Sequence, residues 1–128
     1  MEAVVRRHET IAQAARRGVT AMGLELWVAR EEIAASCVTG AVMPQGVADQ
    51  QLRARLRDRY GVMISGGSGE LAGKLFRLSH MGMAAHPTHL CAQLAMVERT
   101  LADLGVPVTL GQGVGAALAS LENWGESA

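Results

Sequence analysis

The chain has 128 residues and a mass of 13.5 kDa, with 49% apolar residues, 19% charged residues and a mean hydropathy of +0.16. That length suits one compact domain with a real core, and the balance excludes a disordered tail. Twelve basic residues offset twelve acidic ones and the pI is about 6.9, so no general attraction to nucleic acid or anionic lipid is expected.

The basic residues are uneven in kind: eleven are arginine and one, Lys74, is lysine. Chemistry that needs a lysine amine therefore has a single candidate. The opening residues bring charge at Glu2, Arg6 and Arg7, without the apolar stretch of a secretory signal. No apolar run approaches the roughly 20 residues that span a bilayer. Cys37 and Cys91 lie far apart and outside any C-x-x-C pattern. Free thiols in a reducing cytoplasm follow as the expectation.

Between residues 2 and 22, Val4, Val5, Ile11, Ala12, Ala15, Val19 and Met22 recur at helical spacing, and Gly23 is placed to end that helix. Residues 24–29 (LELWVA) read as a short strand and residues 36–43 (SCVTGAVM) as another, with Gly40 as a candidate bulge. Arg30, Glu31 and Glu32 between them read as a solvated loop. Residues 47–60 form a helix with Val47, Leu52 and Leu56 on one side, where Asp49 suits the positive helix start and can pair with Arg53. Gly61 ends it.

Residues 62–65 read as a strand, 66–73 as a glycine-rich connection, and 75–80 (LFRLSH) as a further strand. Pro87 opens a long helix carrying Leu90, Leu94, Val97, Leu101 and Leu104, stopped by Gly105 and Pro107. A shorter helix follows over about 113–123. Together these elements predict an α+β fold, a small antiparallel sheet with helices packed on one face.

Chemistry concentrates between Gly66 and Gly82. A phosphate cradle leads from a strand into a helix, whereas this glycine loop leads into a strand, so a hairpin needing positive φ is the simpler reading. Strand alternation puts Phe76, Leu78 and His80 on one face and Leu75, Arg77 and Ser79 on the other. If Phe76 and Leu78 face the helices, Arg77 points away from the core. A guanidinium there can take a carboxylate through two parallel N–H donors, or be solvated or paired structurally.

His80, His86 and His89 lack acidic or thiol partners at metal spacing, and no metal site is expected. The arginines at 53, 55, 57 and 59 step around their helix, which reads as a solvated face rather than a nucleic-acid surface.

Residues 57–82, RDRYGVMISGGSGELAGKLFRLSHMG, resemble the small-domain signature of the class V aminotransferases. The branch is that of the alanine–glyoxylate, serine–glyoxylate and serine–pyruvate aminotransferases, whose strand-loop-strand reads approximately RYGV-I-GG-G-L-GK-FRIGHMG. The opening RRHETIAQAARRGVTAMGLEL is similar to the helix and first strand that begin the same domain. The resemblance covers residues 2 to about 104. Departures are Leu78-Ser79 where Ile-Gly is commoner, and residues 84–88 where an acidic helix start is usual.

The resemblance implies the C-terminal small domain of a pyridoxal-phosphate enzyme of fold type I. Arg77 would bind the α-carboxylate of a small amino or oxo acid, and Gly66 and Gly67 would border the site. Lys74 matches the GK of the motif, not the lysine that holds the cofactor. Residues 1–128 are therefore expected to be one small domain, with 106–128 an unassigned helical tail. The large cofactor-binding domain is absent, so no pyridoxal phosphate is expected on this chain alone.

The implied reaction moves an amino group between an alanine- or serine-type amino acid and glyoxylate or pyruvate. The implied partners are a large pyridoxal-phosphate-binding domain or subunit and, as a candidate assembly, a homodimer. The competing expectation is a stand-alone, non-catalytic domain for protein association or small-acid binding.

Overall fold

A computed structural model describes residues 2–27, 38–67, 69–80 and 85–126. The expectations for Arg30–Glu32, for Cys37, and for the ends of the first two strands at 28–29 and 36–37 lie outside these residues. So do Ser68 and residues 81–84.

The elements run α1 (Glu2–Ala21), β1 (Val38–Val42), α2 (Asp49–Tyr60), β2 (Ser65–Gly66), β3 (Leu75–Ser79), α3 (Pro87–Asp103) and α4 (Gln112–Ser120), with a 3₁₀ turn at Gly69–Leu71. The sheet has the order β1-β3-β2, antiparallel throughout. The strand expected at 24–29 contributes, among the described residues, one bridge from Leu26 to Ala41. The expected bulge at Gly40 is not formed: Gly40 stands in regular register opposite Arg77.

The helices gather on the sheet face that carries Phe76 and Leu78. Ile11, Ala15, Val19, Leu52, Leu56, Leu90, Leu94, Val97 and Leu101 close around those two side chains. Full burial of a Leu or Phe side chain is worth about 1.5–3 kcal/mol, so this cluster supplies the main cohesion. The stripe of α1 begins later than its sequence suggests, because Val4 and Val5 lie in an exposed first turn. Leu75 departs from simple alternation: it is 2% exposed on the Arg77 side, outside the main core cluster.

Two buried carboxylates tie the helices together. Glu98 on α3 is 2% exposed and accepts the Gly111 amide at 2.8 Å and the Gly113 amide, capping α4 from another helix. A Cβ on Gly113 would come 2.5 Å from the Glu98 Oε1 position and 2.8 Å from Met22. A Cβ on Gly18 of α1 would come 2.7 Å from Leu94 and 3.0 Å from the Gly113 carbonyl, so small residues let α1 and α4 touch. Ala117 and Leu121 are buried there, so the segment after Val106 packs as part of the body.

Asp103 joins α3 to α2. It accepts Tyr60 Oη–H at 2.6 Å, Arg55 Nε–H at 3.0 Å and the Arg99 Nε–H and Nη2–H at 2.9 and 2.7 Å. The Tyr60 hydrogen bond, followed by those of Arg99 and Arg55, outweighs desolvation and drives the carboxyl far below its ordinary 3.8. The arginines of α2 lie on a solvated or half-exposed face as expected and make ion pairs there: Arg53 with Asp49, Arg55 with Asp103 and Arg57 with Asp58. No described helix is long and apolar enough to cross a membrane.

Replacing Glu98 by Ala leaves two backbone donors of α4 without their acceptor and is expected to cost about 1–3 kcal/mol, read as a lower urea midpoint at unchanged slope. For Asp103 the folded pKa lies below the unfolded one. Its stabilisation is therefore complete above about pH 4 and is lost as pH falls toward the folded pKa. Asp103→Asn should melt several degrees lower at pH 7 and lose less between pH 5 and pH 2 than the parent, measured by thermal unfolding across that range.

Candidate functional site

β3 passes between its two partners so that Arg77 sits opposite Gly40 of β1 and opposite Ser65 of β2. With Phe76 and Leu78 in the core, Arg77 and Ser79 emerge on the other face, both exposed. Arg77 Nε donates to the Gly66 carbonyl at 3.0 Å. Its two terminal nitrogens have no hydrogen-bond or ion-pair partner among the described residues. One hydrogen bond therefore orients the guanidinium plane while the donors suited to a carboxylate remain open.

Gly66 and Gly67 have different reasons to be glycine. Gly66 lies opposite Phe76, on the helix side of the sheet. A Cβ there would stand 2.8 Å from Asp49 Oδ2 and 3.1 Å from Arg53 Nε. Those groups form a pair: Asp49 is 5% exposed and accepts Arg53 Nε–H at 3.1 Å and Nη2–H at 2.8 Å. The hydrogen bond to Asp49 raises the Arg53 pKa above its ordinary value. The start of α2 thus seats against the strand whose carbonyl holds Arg77.

Gly67 closes the β2–β3 hairpin, its amide donating to the Leu75 carbonyl at 3.1 Å. A Cβ on Gly67 would fall 2.2 Å from the Leu71 carbonyl oxygen and 2.7 Å from its carbon. The positive φ expected in this loop occurs at Gly69 (59°) and Gly73 (81°). Such values favour glycine because a Cβ would crowd the backbone.

The histidines do not converge on one another. His80 is fully buried and its Nε2 lies 2.8 Å from Thr39 Oγ1. His86 caps α3, Nδ1 accepting the Thr88 amide at 3.2 Å, and its ring meets Trp124 edge-on at 5.8 Å. Among the described residues no group of three His, Cys, Asp or Glu side chains could hold a metal ion. Cys91 is a half-buried free thiol, and burial pushes its pKa up.

Sequence reasoning placed Asp49 and Arg53 as a helix-local pair and missed their contact with Gly66. A signal was present only indirectly, in an acid at a helix start and a glycine in a strand. Trp27 carried no signal beyond strand propensity, yet its side chain covers Gly40 next to Arg77.

The chain is 43% identical over 121 residues to the pyridoxamine–pyruvate transaminase of Mesorhizobium japonicum, covering 94% of this chain and 31% of that protein. It is 33% identical over 123 residues to the serine–glyoxylate aminotransferase of Arabidopsis thaliana, covering 96% of this chain and 30% of that one. The crystal structure of pyridoxamine–pyruvate aminotransferase from Mesorhizobium loti matches with a TM-score of 0.90 at 43% identity, over 94% of this chain and 31% of that chain. The chain is similar over most of its length to class V aminotransferases.

It matches their C-terminal small domain and spans about a third of the length of these relatives. No protein-family model matches it. A match of 121 residues cannot end near Leu104, so the likeness extends into the segment whose helix α4 packs on α1 and α3.

Class V aminotransferases depend on pyridoxal phosphate in general. Lys74 is exposed at the turn before β3, and the glycine loop delivers its amides to a strand rather than to a helix start.

Gly67→Ala should force the Leu71 backbone to move, destabilise the fold by about 1–3 kcal/mol and displace the hairpin that carries Gly66. Chemical denaturation, with amide exchange at residues 65–77, reads both effects.

Proposed function

We propose that this chain is the small domain, over residues 1–128, of a pyridoxal-phosphate aminotransferase that moves an amino group between an amino acid and glyoxylate or pyruvate. Arg77 holds the α-carboxylate of the substrate. Its exposed guanidinium, oriented by the Gly66 carbonyl with both terminal nitrogens unpartnered among the described residues, is the observation that carries this reading.

Two carboxylate oxygens match the two terminal N–H groups in a single plane, which fixes position and orientation together. Gly66 and Gly67 border this anchor, one through its carbonyl and the other through the close turn behind it. The cofactor and its lysine come from a larger cofactor-binding portion, which also closes the open side of the site. Apart from Trp27, the Arg77 face exposes polar side chains, Ser65 and Ser79, and buries Leu75, which favours this over an apolar association surface. The free thiol of Cys91 suits a reducing cytoplasm.

The test is complementation: the chain is combined with the cofactor-binding portion of a class V relative and assayed for transamination. The complemented pair should turn over, and Arg77→Ala should lower kcat/KM by roughly 10²-fold or more, because the carboxylate loses its charged partner. Arg77→Lys should recover only part of that, since a lysine cannot form the planar two-point contact. Unchanged kcat/KM in Arg77→Ala would remove Arg77 from the site.

A further inference from the structure

Four chain segments align side by side on the face that carries Arg77. The Trp27 amide donates to the Gly40 carbonyl at 2.9 Å, next to the bridge between Leu26 and Ala41. Gly40 stands opposite Arg77, and Arg77 opposite Ser65. Residues directly opposite in antiparallel strands project to the same side. Trp27, Arg77 and Ser65 therefore share one face, and the position between Trp27 and Arg77 has no side chain.

That missing side chain leaves room the indole partly uses. A Cβ on Gly40 would lie 3.3 Å from Trp27 Cβ and 3.9 and 4.0 Å from Cγ and Cδ1. The indole leans over the glycine yet stays 51% exposed. Arg77 leans the other way, drawn toward β2 by the Gly66 carbonyl. Neighbouring strands run about 4.8 Å apart, so the roots of Trp27 and Arg77 stand roughly 10 Å apart. The result is a glycine-floored gap with an aromatic wall at one side and a carboxylate anchor at the other.

We infer that Gly40 and Trp27 form the side-group subsite of this domain: an oxo acid held by Arg77 lies over Gly40 with an apolar or aromatic side group against the Trp27 indole. The inference rests on Arg77 as the carboxylate anchor. Ring–ring contact gives such a wall a preference for flat, apolar groups. Glyoxylate, which has no side group, does not reach it. Trp27 thus sets specificity, while Arg77 sets affinity for every acid of the class.

The experiment is a titration of the ¹⁵N-labelled chain with glyoxylate and with phenylpyruvate, following the Trp27 indole and the Arg77 amide. Phenylpyruvate should shift both signals along one saturating curve, and glyoxylate only that of Arg77. Trp27→Ala should weaken phenylpyruvate about three- to ten-fold and leave glyoxylate unchanged. Gly40→Ala, which fills the floor, should act in the same direction, and the amide spectrum verifies that each variant is folded. Phenylpyruvate binding equally well to the parent and both variants would overturn the subsite. If Arg77→Ala binds both acids as the parent does, or neither acid moves Arg77 in the parent, the anchor itself is wrong.

Discussion

Burying Phe76 and Leu78 beneath the helices is the constraint on which the rest depends. A strand has two faces and a period of two, so committing those residues to the core commits Arg77 to the opposite side. A one-residue slip of β3 would bury the guanidinium and expose the chain's one phenylalanine. The register with β1 and β2 therefore sets both the stability of the domain and the position of Arg77.

The surrounding structure keeps that register from being merely local. The Asp49–Arg53 pair rests against Gly66, so the placement of α2 reaches Arg77 through a single carbonyl. Asp103 holds α2 to α3 through Tyr60, Arg55 and Arg99, and Glu98 holds α3 to α4. Each of these carboxylates is buried and fully engaged, a state tolerated only because charged or backbone donors surround it. Gly40 is likewise fixed by a close neighbour, since a side chain there would crowd Trp27.

Much of the fold was legible in the sequence because the helices carry long apolar repeats. The stripe of α3 and the glycines that stop α1, α2 and α3 are visible at the level of spacing, and alternation placed Arg77. Of the strand expected at 24–29, the described part pairs with β1 through one bridge at Leu26 and hydrogen bonds at Glu25 and Trp27. Leu75 and the first turn of α1 broke pattern, since burial depends on what covers a position as well as on its period. The tie from Arg55 to Asp103 could not be read from spacing, because the two lie 48 residues apart.

By itself the sequence determined the α+β class, the helices and their ends, the face on which Arg77 lies and, through residues 57–82, the resemblance to class V aminotransferases. These are local or periodic properties, written in neighbouring residues. Only the tertiary structure decided that Glu98 caps α4, that Asp49 and Arg53 back Gly66, and that Trp27 stands across Gly40 from Arg77. Those contacts join residues remote along the chain. They depend on the distance between packed backbones, which no spacing in one dimension encodes.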